Sequence, residues 1–286
     1  MTKKLNKDHL ETFKNNGSVF VKSLFPKEDI EIILEEIKLW AKFSPAINRN
    51  GAIFSAHDLL LQNLSIFSKS ALSIVLRNDI INFVKSYYKS DIILSKIEYR
   101  EQLVPKVEMP IHSDFGSSVS FMIYLNGVED KFGSTYCYDG THKLNHKKTK
   151  TNISEFEITK ANGEEGSTLV FHSNVLHKRT TTHLKGRKII WFTFQKLSKN
   201  VTINKTLFSR ESLANLTKKQ QLILGISKKD NISESFAEDL ICDQLPNEES
   251  LSFVESKILL NALYKRIFIY FKTKVKRFLN ILSPRL

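Results

Sequence analysis

The chain has 286 residues, 41% of them hydrophobic, with ten glycines and six prolines, a balance that supports a folded core and excludes a low-complexity or collagen-like chain. Two cysteines, Cys137 and Cys242, are too few for a disulfide framework, and neither a secretory signal nor a long uncharged apolar run is evident, so a cytoplasmic setting is expected. The net charge is +13, but 257–286 hold eight basic residues and no acidic one, so the excess is largely a property of the tail.

The spacing predicts helices through most of 1–91. Pro26 suits the first turn of a helix, Glu28, Asp29 and Glu31 favour its positive end, and Ile30, Ile33, Leu34, Ile37 and Trp40 recur on one face. A second helical stretch runs through 72–76 and 80–84. Such helices are expected to pack as a support on the outside of a sheet. From 92 to 196 the pattern changes to short β-forming runs, at 92–94, 97–102, 118–125, 134–138, 167–171 and 189–194. Asn126-Gly127, Asp139-Gly140 and Asn162-Gly163 supply turns between them.

Many short strands without alternating helices predict an α+β fold, a double-stranded β-helix (a jelly-roll or cupin-type barrel) flanked by helices. A ligand would sit in its open mouth. The polar stretch 143–150 reads as a solvated loop or as a lid over that mouth. The last part, 197–286, is predicted to be helical and to end in a basic amphipathic helix. There Leu260, Tyr264, Ile267, Phe271, Val275, Phe278 and Leu282 share one side, with Lys265, Lys272, Lys276 and Arg277 opposite. That helix either lies on an anionic membrane surface, as a peripheral anchor, or packs on the protein's own core. Nucleic acid is not expected, because the aromatics sit on the apolar face and no binding motif accompanies them.

The chemistry is concentrated in His112-Ser113-Asp114, His177 and Arg187. Residues i and i+2 of an extended strand project from one face, so His112 and Asp114 can reach one point. His177, at the edge of a distant strand, would complete two imidazoles and one carboxylate on one side of a metal. That set leaves three adjacent positions open and is the ligand set of non-haem Fe(II) oxygenases. Arg187 then offers a fork of donors for a carboxylate of a cosubstrate. Lys188 competes with it, since strand alternation lets only one of the two point inward. Arg187 shares a face with Ile189, Trp191 and Thr193; Lys188 shares one with Ile190, Phe192 and Phe194. Guanidinium is the better bidentate partner. Arg100 and Gln102, one face of an early strand, could touch the cosubstrate as well. His172 lies near His177 and is weighed as a neighbour of the site, while His9, His57, His142, His146 and His183 are not assigned to the metal.

Over 10–195 the chain resembles the phytanoyl-CoA dioxygenase-like branch of the Fe(II)- and 2-oxoglutarate-dependent oxygenases. The resemblance rests on Phe13 with Asn16-Gly17-Ser18-Val19-Phe20-Val21, Ile111-His112-Ser113-Asp114-Phe115, Tyr124-Leu125-Asn126 and Gly133-Ser134-Thr135. It continues in Asp139-Gly140-Thr141-His142-Lys143, similar to that family's Pro-Gly-Ser-His-Lys loop but with Asp139 for the proline. Gly166-Ser167-Thr168-Leu169-Val170-Phe171 before His177 and Gly186-Arg187 complete it. The resemblance implies Fe(II) held by His112, Asp114 and His177, 2-oxoglutarate as cosubstrate with its far carboxylate on Arg187, and dioxygen as the oxidant. It implies release of succinate and CO2 with hydroxylation of a C–H bond. Asp114 points to hydroxylation because halogenating members lack this carboxylate. Small-molecule, lipid-linked and glycan-linked substrates stay open.

Two other readings stand beside this one. The barrel could be a non-catalytic cupin-like binding or scaffold protein docked at a membrane. It could also keep the metal as a cupin-type isomerase, or as a dioxygenase that needs no 2-oxoglutarate.

Overall fold

A computed structural model describes residues 3–43, 46–47, 58–62, 64–102, 108–114, 116–144, 152–181, 186–198, 208–209, 216–226 and 241–242. The basic amphipathic stretch at 257–286, the loop at 145–150 and the histidines at 57, 146 and 183 lie outside the described residues. Among the described residues no helix is long and apolar enough to cross a membrane.

Helix α1 (Lys7–Asn16) starts at a capping box, in which the Asn6 side chain accepts from the His9 amide at 2.9 Å and His9 Nδ1 accepts from the Asn6 amide at 3.3 Å. It stops at Gly17, whose φ of +78° is the left-handed conformation that closes a helix. A β-carbon there would run into the His142 ring at 2.3 Å, so the position requires glycine twice over. Strand β1 (Ser18–Val21) follows at once. Helix α2 (Lys27–Phe43) begins just after Pro26, as the sequence predicts, and buries Ile30, Ile33 and Ile37. Burial of each such side chain contributes about 2 kcal/mol. Strands β2 (Ala46–Ile47) and β3 (Asp58–Gln62) and helices α3 (Leu64–Phe67), α4 (Lys69–Val75) and α5 (Asn78–Tyr88) complete the first third. The N-terminal segment therefore supplies edge strands to the sheet as well as helical support.

The remaining strands are β4 (Ile92–Gln102), β5 (Ser118–Tyr124), β6 (Thr135–Tyr138), β7 (Ile158–Lys160), β8 (Thr168–His172), β9 (His177–Arg179) and β10 (Arg187–Lys196). Beyond them lie the short pair β11 (Phe208–Ser209) and β12 (Ile241–Cys242), with helix α6 (Lys218–Ile223) between them in sequence. The runs at 92–94 and 97–102 are one strand, not two. A register shift at Thr193/Phe194 leaves Ser95 as the extra residue of β4, and its hydroxyl donates to Thr193 O at 3.1 Å.

Seven antiparallel strands form the large sheet in the order β1-β8-β5-β10-β4-β3-β2, and three form a smaller sheet, β7-β6-β9. This is the arrangement of a double-stranded β-helix with helices on one side. Alternation along the strands sends side chains to two different cores. Phe121, Ile190, Phe192 and Phe194 pack on the helices, with Phe121 and Phe192 stacked at 4.8 Å between ring centres. Met122, Tyr124, Cys137, Leu169, Phe171 and Ile189 form the second core, between the sheets. The inter-sheet core is the one that adjoins the candidate site, through Phe171 beside His177.

Candidate active site

His112 and His177 meet through their backbones before their side chains. They form an isolated antiparallel bridge, with amide-to-carbonyl distances of 3.0 and 2.8 Å. Asp114 is anchored the same way, its amide donating to Ser173 O at 2.8 Å. This stitching brings segments 65 positions apart in sequence to one edge of the small sheet. The potential ligand atoms of His112, Asp114 and His177 lie within 4.8 Å of one another, and Asp114 is 3.9 Å from Nε2 of each histidine.

The protonation pattern follows from the second ring nitrogen. His112 Nδ1 lies 2.8 Å from Pro110 O and His177 Nδ1 lies 3.0 Å from Val175 O. A carbonyl can only accept, so each Nδ1 carries the proton and each Nε2 presents a lone pair toward Asp114. Burial holds His177 below the ordinary histidine range, with Asp114 pulling the other way, so its ring is neutral at physiological pH. Two imidazoles with Nε2 turned inward and a carboxylate converging on one point are a donor set suited to a borderline divalent metal. Their partly exposed side, at His112 and Asp114, leaves room for further ligands.

Arg187 opens β10 and points into the inter-sheet core. It is buried, and its Nη1 donates to Gly133 O at 2.9 Å and to Thr135 Oγ1 at 2.8 Å. Tyr124 lies alongside, with the guanidinium carbon 5.8 Å from its ring centre. Burial raises the Tyr124 pKa, so its phenol stays protonated and able to donate. Gln102 is Arg187's register partner on β4, and its Oε1 is buried with no hydrogen-bond partner among the described residues. Lys188 turns the other way. It is partly exposed and lies 3.9 Å from Glu101 on the outer face.

Other histidines are placed away from this point. His172 ends β8, where its Nδ1 accepts from the Asn174 amide, and its ring faces Tyr87 and His142. Burial lowers its pKa to about 4, with His142 adding to the effect. His9 serves the α1 cap. Asp139, where the resembled family has proline, accepts from Asn16, Ser18 and Thr159 and so ties β6 to the α1–β1 junction.

Three neighbours of the site were not singled out by sequence reasoning. Thr135 meets Arg187 across the inter-sheet space. Arg179, two residues after His177 and on the same face, is buried in register with Thr135. Glu98 is buried on the inner face of β4 and contacts Arg100. Period-two alternation from His177 would have found Arg179, and alternation from Gln102 would have found Glu98. No local signal pairs Thr135 with Arg187.

No family model matches the chain, and no curated protein matches it. Solved structures do. The non-haem alpha-ketoglutarate-dependent epimerase SnoN from nogalamycin biosynthesis superposes with a TM-score of 0.58 at 14% identity, covering 66% of this chain and 82% of SnoN. HygX from Streptomyces hygroscopicus, solved with nickel and 2-oxoglutarate bound, gives 0.56 at 13% identity over 72% of this chain and 91% of its own. EctD from S. alaskensis, solved with 2-oxoglutarate and 5-hydroxyectoine, gives 0.54 at 10% identity over 67% and 76%. The chain shares their fold.

Proposed function

We propose that this chain is an Fe(II)- and 2-oxoglutarate-dependent dioxygenase of the phytanoyl-CoA dioxygenase-like branch, hydroxylating an unactivated C–H bond of a small molecule. The observation that carries the reading is the convergence of two Nδ1-protonated imidazoles and one carboxylate beside a buried arginine on the adjoining wall. Solved structures of like fold support it: SnoN in complex with Fe3+ and alpha-ketoglutarate, the alpha-ketoglutarate-dependent carbocyclase SnoK, and HygX with nickel and 2-oxoglutarate.

His112, Asp114 and His177 would hold the metal by one side and leave the other to cosubstrate and dioxygen. Bound Fe(II) would activate dioxygen, the oxidant, with 2-oxoglutarate as co-reductant: one oxygen atom would pass into succinate as CO2 is lost, and the other into the substrate C–H bond. Arg187 would take the far carboxylate of the cosubstrate, its geometry fixed by Gly133 and Thr135. The Tyr124 phenol and the buried Gln102 amide flank Arg187 and would complete the hydrogen bonding of a carboxylate held there. Met122, Leu169, Phe171 and Ile189 exclude water from the wall between the two ends.

Succinate release from 2-oxoglutarate in air tests the reading. Fe(II)-dependent release is expected from the wild type, and Asp114→Ala is expected to lose it. Equal release from both proteins would refute the ligand set.

A further inference from the structure

We infer, resting on the proposed cosubstrate site, that Asn126 is a positioning residue for Arg187. Its carboxamide fixes the main chain on both sides of the arginine and so sets the affinity for the far carboxylate of 2-oxoglutarate. Arg187 is the first residue of β10, and on the β4 side its register partner is Gln102. On the β5 side the ladder stops before reaching it, at the pair of Ile189 with Tyr124. Continuing that register places Asn126 opposite Arg187.

In an unbroken antiparallel ladder, the bonds flanking that pair would run from the Lys188 amide to Leu125 O and from the Gly127 amide to Gly186 O. Here β5 has ended and the chain bends at Leu125 and Asn126, and the Asn126 side chain takes both places. Its Oδ1 accepts from the Lys188 amide at 2.8 Å, and its Nδ2 donates to Gly186 O at 2.7 Å. The Leu125 amide still donates to Lys188 O at 2.9 Å, so the side chain continues a rung the backbone has begun.

The chemistry of this contact is selective. A carbonyl only accepts and a backbone amide only donates, so a group bridging Gly186 O and the Lys188 amide needs a donor and an acceptor side by side. Asparagine supplies both, ionised aspartate supplies acceptors alone, and alanine supplies neither. Gly186 adds a second constraint. A β-carbon there would lie 2.4 Å from Gln102 O, so the peptide before Arg187 is pressed between β4 and Asn126. The backbone is thus held on both flanks, and the guanidinium is held at its far end by Gly133 O and Thr135 Oγ1. None of these contacts involves His112, Asp114 or His177. Loosening them should disturb the far-carboxylate site and leave the chelating end of the cosubstrate alone.

The test titrates the anaerobic Fe(II)-loaded protein with 2-oxoglutarate and, separately, with 2-oxopentanoate, following the visible charge-transfer band. The second probe has the same chelating end and chain length but no far carboxylate. Asn126→Ala is expected to weaken 2-oxoglutarate binding by about tenfold and to change 2-oxopentanoate binding by less than about twofold. Asn126→Asp is nearly isosteric and removes only the donor to Gly186 O. It is expected to lower the ratio in the same direction, so the result does not depend on the alanine variant folding. On an Arg187→Gln background, Asn126→Ala should cost no further 2-oxoglutarate affinity, because the residue it positions is gone. Equal weakening of both oxoacids, an unchanged ratio in both variants, or a further tenfold loss on the Arg187→Gln background would overturn the inference. A wild type that develops no band with 2-oxoglutarate would overturn instead the cosubstrate reading on which it rests.

Discussion

Arg187 and Lys188 are adjacent in the chain and opposite in the fold, and that contrast makes their roles separable by measurement. Arg187 is buried against Gly133 and Thr135, whereas Lys188 faces Glu101 at the surface. Arg187→Gln is expected to raise the 2-oxoglutarate concentration needed for half-saturation by about a hundredfold, the loss of a buried bidentate charge pair. Lys188→Gln is expected to change it by less than about threefold. Spectroscopic titration of the anaerobic Fe(II) protein with 2-oxoglutarate measures both, and the reverse ranking would exchange the two assignments. Alternation alone allowed either residue to face inward, and guanidinium chemistry supplied the preference. The sequence carried no sign that Thr135 would reach Arg187.

His172 makes a prediction about acid. Its folded pKa is lowered to about 4 while the unfolded chain retains the ordinary value of 6.5, so below neutrality the unfolded state binds the extra proton. Stability should therefore fall as pH drops from 6.5 toward 4 and level off below, by up to about 3 kcal/mol from this group. His142 and His177, also lowered, add to the slope in the same direction. Denaturant melts at pH 7 and pH 4.5 should show the loss, and His172→Phe should flatten the dependence. An unchanged slope in that variant would assign the acid sensitivity elsewhere.

At the scale of elements, the junction of α1 and β1 is where local chemistry and distant packing meet. Gly17 ends the helix at positive φ, leaves no room for a β-carbon against His142, and offers its carbonyl to the His172 amide at 2.8 Å. Gly17→Ala should lower stability by about 2 kcal/mol or more, combining left-handed strain with a ring clash. A thermal melt within a degree of the wild type would show that the His142 loop simply moves aside.

Helix α2 was legible because it carries a long apolar face at helical spacing, whereas the single helical stretch expected through 72–84 is two helices, α4 and α5, broken between them. Strand β1 was not legible, as four residues after a helix give no period of their own. What makes them a strand is pairing with β8, whose partner positions lie about 150 residues away. The bulge at Ser95 was equally hidden. It shows in sequence only as a polar pair between two apolar runs, which reads as a break between strands.

At the scale of the molecule, the two faces of the large sheet meet different partners. Helices cover one face of the large sheet, whereas the small sheet brings the edge with His112 and His177 against the other. The double-stranded β-helix could be anticipated from many short strands and Gly-containing turns, and the solved structures of like fold agree with it. The positions of the metal candidates in one short segment and one distant strand end could also be anticipated. The inward charges of β4 and β9 could not be ranked from sequence, because an alternating Lys-Glu-Arg strand has the same pattern whether that face meets solvent or a buried site.

The central claim is that His112, Asp114 and His177 hold one ferrous ion to which 2-oxoglutarate then binds. Adding Fe(II) and 2-oxoglutarate to the wild-type protein under anaerobic conditions, and recording the visible absorption spectrum, addresses it most directly. The wild type should develop the metal-to-ligand charge-transfer band of a chelated 2-oxoacid, and His177→Ala should not. No band from the wild type, or an equal band from His177→Ala, would contradict the account.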